Sequence, residues 1–394
     1  MTASRLPLPR TVLVVGLVSL LHDAGSEMVL PLVPAFLATL GAGPAALGLI
    51  EGLADASSAA LKLWSGLLAD RGARLKRMTV LGYALANLAR PLNFLATSWG
   101  HVLVVRFADR VGKGLRTTPR DRLLADAVAV ADRGRAFGFH RAMDHAGAVL
   151  GPLLAIVAIR LGVEVRSIFL LSAIPGALAV GIALRGLPDP PPTPGAHEGA
   201  TLRLPRARGV RRFLGAVALS TAASPADAFL LWRARELGVS LEGGLLLWMV
   251  LHLCRAVASG KLGRLSDRLG RPRTLVLVWS VMGAALLGLG WVAGDSWLGL
   301  GLLALAGTMS GSMDGLEKAL AVDLVEPEER GRALGTYHFA SGFASLPAAA
   351  GFGLLYATVG APGAFSTVAA LSLVSSALVL SLPRRSVGQE GCPT

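Results

Sequence analysis

Ionisable side chains stand inside stretches that are otherwise apolar, and their spacing is the first feature of this chain that can do chemistry. Asp23 and Glu27 are four positions apart, as are Glu51 and Asp55, which puts each pair on one face of a helix. Arg106, Asp109, Arg110, Lys113 and Arg116 follow within one short stretch, with Arg90 before them and His140, Arg141, Asp144 and His145 after. A charge at the centre of a membrane helix costs about 2.5 to 3.5 kcal/mol unless it is paired or hydrated, so a lipid-facing surface does not carry this density. These groups must line an interior. The simplest pairing sets Asp23 and Glu27 against Arg106 or Arg110, so that one carboxylate can gain and lose a proton as its surroundings change. A static ion-pair network tying the helices together is the other reading of the same residues. Later in the chain the embedded charges thin out to Asp227, His252, Arg255, Asp314, Glu317 and Lys318.

The elements that must hold these groups are membrane helices. Of 394 residues, 53% are hydrophobic and 16% charged, against about a quarter charged in a soluble domain. Apolar runs recur along the chain, each near the ~20 residues that span the hydrocarbon core. Between Leu275 and Ala293 Ser280 is the single hydroxyl, without the alternation of a barrel strand. Helices are expected near 11–37, 44–69, 77–97, 100–124, 137–160, 166–187, 212–233, 243–263, 273–293, 297–319, 334–357 and 362–382. The chain also repeats itself at a fixed offset. Gly66, Asp70, Arg71 and Arg74 fall on Gly263, Asp267, Arg268 and Arg271, and Asp126, Arg133, Gly134 and Arg135 fall on Asp323, Arg330, Gly331 and Arg332. One half built twice is the consequence. The expected domains are a six-helix bundle over 1–187, a Pro- and Arg-rich linker over 188–211, and a second six-helix bundle with a short tail over 212–394.

The formal net charge of +13 follows this topology. Arginines crowd alternate loops, which by the positive-inside rule places both termini in the cytoplasm of a multi-pass protein in the cell's inner membrane. No basic-aromatic surface stands apart from those loops, so a nucleic-acid partner is not expected. The first helix is too long for a signal sequence and is expected to be retained. Cys254 and Cys392 make no disulfide framework. Gly112-Lys113-Gly114 lacks the spacing of a phosphate loop, and with no nucleophile or metal cluster in sight neither an enzyme nor a cofactor is expected.

Gly66-Leu-Leu-Ala-Asp70-Arg71-Gly-Ala-Arg74 and its twin from Gly263 to Arg271 resemble the loop signature of the major facilitator superfamily, and the resemblance covers essentially the whole chain. It implies an all-helical membrane fold of twelve helices in two bundles about a pseudo-two-fold axis. It also implies alternating access, with the two bundles rocking about a central cavity. In that family the repeated loop is a conformational latch, which assigns that role to Gly66, Asp70, Arg71, Arg74, Gly263, Asp267, Arg268 and Arg271. A carboxylate beside arginines and a helix amino terminus has the electrostatics for it. Asp23, Glu27, Glu51, Asp55, Arg106, Asp109, Arg110, Lys113, Arg141 and Asp144 are the candidates for proton coupling and substrate contact.

Gly147, Gly151 and Pro152 form a small-xxx-small helix contact followed by a bend, in part similar to the antiporter motif of drug-exporting members. The expectation is a monomeric, proton-coupled exporter of a small solute in the lipid bilayer. A divalent metal exporter using His22, Asp23, His140, Asp144 and His145, an uncoupled facilitator of a polar or anionic metabolite, and a ligand sensor of the same fold are the alternatives.

Overall fold

The computed structural model describes residues 8–70, 73–129, 132–189, 208–294, 297–325 and 330–381, and these are helical with short turns and contain no strand. Twelve helical columns can be counted among them. The first six are α1 (Arg10–Thr39), α2 (Pro44–Asp70), α3 (Leu75–Ala89, prolonged by a 3₁₀ stretch Arg90–Leu95), α4 (Trp99–Asp126), α5 (Arg133–Arg160) and α6 (Val165–Gly186). After them come α7 (Arg208–Ala223 and Asp227–Glu236), α8 (Leu241–Leu269), α9 (Arg271–Trp291) and α10 (Trp297–Ser312 and Asp314–Asp323). The run Arg330–Leu380 is two helices, α11 (330–359) and α12 (361–380), divided at Gly360, whose φ of 71° is open to glycine and costly for other residues.

The repeat is visible in the backbone. Gly41 turns the chain from α1 into α2 with φ 72°, and Gly238, at the repeat offset, turns α7 into α8 with φ 85°. Both α1 and α7 are interrupted along their length, α1 by the 3₁₀ turn Leu30–Leu32 and α7 around Pro225. Proline cannot supply the amide that an unbroken helix needs. The expected column positions hold, but several ends move. α5 begins at Arg133 rather than 137, α8 continues to Leu269 rather than 263, and α11 begins at Arg330 rather than 334. The apolar run marks the part of a helix inside lipid, and the added turns are rich in arginine and glycine. α7 likewise starts at Arg208, inside the stretch expected as linker; residues 190–207 of that linker lie outside the described residues.

Three apolar cores hold the molecule together. One lies at the end away from the arginine-rich loops and is shared by the two sets of six helices: Phe36 and Phe169 pack in it with Phe229, Trp248, Phe352 and Phe365. At the arginine-rich end, called here the basic face, the cores are separate. Val12, Val15, Tyr83 and Leu124 belong to one, and Val210, Phe213, Trp279 and Leu316 to the other. The halves are therefore joined at the far face and parted at the basic face. Close approaches run from the far face to mid-helix: a side chain at Gly48 or Gly52 of α2 would strike the backbone of Ala349 or Leu346 of α11, and one at Gly342 of α11 would strike Ala59 of α2. Arg160 at the end of α5 also bonds Glu242 at the start of α8, at 3.0 Å.

Candidate functional site

Between the halves lies a cavity of 360 Å³, at the small end of ligand pockets. Its walls are Glu27 of α1, Glu51 and Asp55 of α2, and Arg106, Arg110 and Lys113 of α4. Facing them are Asp227 of α7, Trp248, His252 and Arg255 of α8, and Ser310 of α10.

Glycines set the depth at which α4 presents its charges. A Cβ at Gly112 would sit 2.5 Å from Gly82 O of α3, and one at Gly114 would sit 2.9 Å from Ser58 O of α2, so α4 is pressed between both helices. Arg106 then meets Glu51 as a fork, Nε at 3.0 Å and Nη2 at 2.9 Å from the two carboxylate oxygens. Its remaining nitrogen is 3.6 Å from Asp109, which also takes the Arg90 Nε–H at 2.7 Å. Glu51, Arg90, Arg106 and Asp109 are all buried. Pairing makes these charges tolerable there, and breaking a pair leaves the survivor uncompensated. Arg110 lies more loosely, 3.7 Å from Asp55.

The expected pairing of Asp23 and Glu27 with Arg106 or Arg110 is not what forms. Glu51, Asp55 and Asp109 reach those guanidinium groups first, because α2 and α3 pack on α4 along its whole length. Glu27 accepts instead a hydrogen bond of 2.7 Å from Trp248 Nε1, across the interface between the halves. Neither Asp23 nor Glu27 makes an ion pair among the described residues. The glycine motif of α5 lies under both of them. A Cβ at Gly147 would be 2.8 Å from Asp23 Cβ, and one at Gly151 would be 2.6 Å from Ala24 O and Met28 N. Gly147, Gly151 and the buried Pro152 thus seat α5 on α1 at the two carboxylates.

In the second half Arg255 grips Asp227 through two nitrogens, at 2.7 and 2.6 Å, and gives its Nε–H to Gly307 O at 2.8 Å. The Lys113 ammonium makes no hydrogen bond or ion pair among the described residues. Paired charges cancel along the walls, and Glu27 and Lys113 are left as the cavity's carboxyl and amine groups without an ion-pair partner among the described residues.

Beside the cavity, toward the basic face, His22 Nε2 lies 2.7 Å from Arg90 Nη2 and 2.6 Å from Arg116 Nη2. Guanidinium groups only donate, so Nε2 accepts and the ring is neutral. Arg116 also stacks over Tyr83, 4.5 Å from its centroid. His140 Nε2 is 2.8 Å from Ser19 Oγ, and Asp144 lies 3.5 Å from His140 Nδ1 and 3.9 Å from Arg141, whose side chain is exposed. The Nε2 atoms of His22 and His140 are already engaged, while His22 Nδ1 has no hydrogen-bond partner. Among the described residues no group of three ligating side chains converges.

Of the latch residues, Arg71 lies outside the described residues, and Asp70 ends α2 with its side chain undescribed. Gly66 faces Thr118 of α4 at 3.5 Å, and Arg74 precedes α3. Gly263, Asp267 and Arg268 lie on the last turns of α8, the latter two exposed. Arg271 forms an ion pair with Asp323 and donates to Ala319 O at 3.0 Å, so the two stretches that repeat in the sequence meet in space. Trp248 and the Asp227–Arg255 pair were not among the expected site residues. Their sequence separation hides them: a lone tryptophan in an apolar helix carries no signal, and the ion pair joins positions 28 apart.

The sequence pattern of the Major Facilitator Superfamily matches residues 15–262 and, overlapping, 212–391. An uncharacterized MFS-type transporter of Methanocaldococcus jannaschii is 30% identical over 354 residues, 87% of each chain. Among solved structures, the nucleoside transporter NupG superposes with a TM-score of 0.77 at 14% identity, over 94% of this chain and 98% of that one. A D-xylose–proton symporter superposes with a TM-score of 0.73 at 15% identity, over 96% and 99%. At such identities the superpositions speak for the fold.

Proposed function

The chain belongs to the Major Facilitator Superfamily, whose members are transporters and not enzymes, and from that premise we propose that it exports a small polar solute in exchange for protons. The observation that carries the coupling is Glu27. It is a carboxylate on the cavity wall, without an ion-pair partner among the described residues, and its hydrogen bond comes from Trp248 of the opposite half. When the halves part at the far face, that bond is lost and the carboxylate meets water. A group whose surroundings change with the transport cycle is placed to take up a proton on one side and release it on the other. Lys113, whose ammonium has no ion-pair partner among the described residues of the same cavity, is placed to meet an anionic group of the solute.

Direction is read from the glycine motif of α5, which resembles that of exporting antiporters. In this reading the basic face and both termini are cytoplasmic, the membrane is the cell's inner membrane, and the protein works as a monomer. The parted cores at the basic face make this the conformation open to the cytoplasm. Asp267 and Arg268 are then a released latch that engages when the cytoplasmic side closes, with Gly66, Asp70, Arg71, Arg74, Gly263 and Arg271 completing it.

Reconstitution in vesicles with an imposed pH gradient, an internal pH dye and a mixed solute pool tests the reading. Wild type should move protons when solute is present, and Glu27→Gln should lose that flux while still exchanging solute. Solute movement without proton flux in the wild type would make the protein a facilitator. Coupled flux that survives Glu27→Gln would assign the proton elsewhere, with Asp23 the next residue to replace.

A further inference from the structure

A second carboxyl is enclosed in the other half, away from the central cavity. Glu317 on α10 is 3% exposed and sits in the apolar core formed by Phe213, Val217, Leu316 and Leu320 near the basic face. Its Oε1 is 3.1 Å from Ser220 Oγ of α7, and its Oε2 is 2.8 Å from the Tyr337 hydroxyl of α11. It makes no ion pair among the described residues. Lys318, its neighbour, is committed to Asp314 at 2.6 Å, and Arg271 of α9 to Asp323 and Ala319 O.

The hydrogens around Glu317 can be counted. Ser220 Oγ also lies 3.0 Å from Val217 O, and the Tyr337 hydroxyl lies 3.1 Å from Asp314 Oδ1. Two hydroxyls, each with one proton, thus face four acceptor contacts. An ionised Glu317 would leave two of those contacts without a hydrogen. It would also set a buried charge across one phenol from the exposed Asp314 carboxylate, whose lysine partner does not reach Glu317. A proton on Glu317 eases the conflict: the carboxylic acid donates to the Tyr337 oxygen, Tyr337 donates to Asp314, and the one Ser220 proton is left for Val217 O or Glu317 Oε1. The indole of Trp279 on α9 is a further donor that faces the same carboxyl. His338 of α11, exposed and set edge-on to Tyr337, completes the titratable groups around the cluster.

We propose that Glu317 is a proton-binding site, separate from the central cavity and occupied in this conformation. The site ties α7, α10 and α11 together at the face where the halves are parted, and loss of its proton changes which of Trp279, Tyr337 and Ser220 it holds. At the repeat offset, Ser220, Glu317 and Tyr337 correspond to Asp23, Arg120 and His140, so the same place in the first half is also ionisable.

Infrared difference spectroscopy of the full-length protein in lipid, needing no solute and no transport, tests this. Wild type at neutral pH should show the carbonyl band of a protonated carboxylic acid, and Glu317→Gln should lose it. Identical carboxylic-acid bands in the two proteins would overturn the proposal. Should Glu317→Gln fail to fold, Tyr337→Phe and Ser220→Ala keep the carboxyl and remove its hydrogen-bond partners. Each should shift the band in frequency, and a band that neither substitution moves would equally rule out a proton on Glu317.

Discussion

At the scale of single residues, the walls of the cavity divide into charges that are satisfied and charges that are not, and the two kinds should fail differently. Glu51 holds both nitrogens of the buried Arg106 fork. Glu51→Gln leaves that guanidinium short of its counter-charge and should lower stability by about 3 to 5 kcal/mol, read as an early thermal melt of the purified protein. Lys113 has no such partner. Lys113→Met should leave the melting temperature near that of the wild type and weaken an anionic solute by about tenfold or more, the loss of one charged hydrogen bond. A large fall in melting temperature for Lys113→Met would show instead that it is structural. Which charges were embedded was legible in the sequence, because a lysine or glutamate in an apolar run is conspicuous. Who pairs with whom was not. Arg106 and Glu51 are 55 positions apart on different helices, and the i to i+4 rule that groups Asp23 with Glu27 says nothing about neighbours on other helices.

At the scale of elements, glycine decides where the helices sit, and therefore where the carboxylates are. Gly151 lets the backbone of α5 touch that of α1 beside Glu27. Gly151→Leu forces the two helices apart and should cost about 1 to 3 kcal/mol or more, with loss of transport even if the protein is made. Gly138, on the same helix, has open space where a Cβ would point, so Gly138→Ala is the control and should be neutral or slightly stabilising in the same assays. Equal behaviour of the two variants would mean that the α1–α5 contact is not limiting. Hydropathy gave the columns to within a few residues because lipid imposes a length. It missed the outer turns, such as 264–269 of α8, because helices that leave the membrane keep their hydrogen bonds without keeping their apolarity.

For the whole molecule, the arrangement of cores makes a mechanical statement: one shared core acts as the closed side and two separate cores as the open side. Cross-linking the far face should therefore trap the protein. Arg160→Cys with Glu242→Cys, in a background where Cys254 and Cys392 are serine, joined by a cleavable bis-thiosulfonate reagent, should abolish transport until a reductant is added. Transport that continues through the cross-link would mean that the far face need not open. The repeat foretold two similar halves, yet no feature of the sequence tells which face is parted, since a transporter must be able to adopt both states and its sequence encodes both. The crowding of charge on α4 reaches beyond the working protein to its manufacture. Among the described residues, α4 is not one of the helices long and apolar enough to cross a membrane unaided. Its ionisable groups between Arg106 and Arg116 would together oppose entry into lipid by on the order of 10 kcal/mol. Glu51 and Arg90 leave the ribosome before it does, so α4 must wait in the aqueous insertion channel and be released into the bilayer already paired with α2 and α3. A nascent chain lacking α2 would strand it there, and cellular quality control would meet the failure before any solute did.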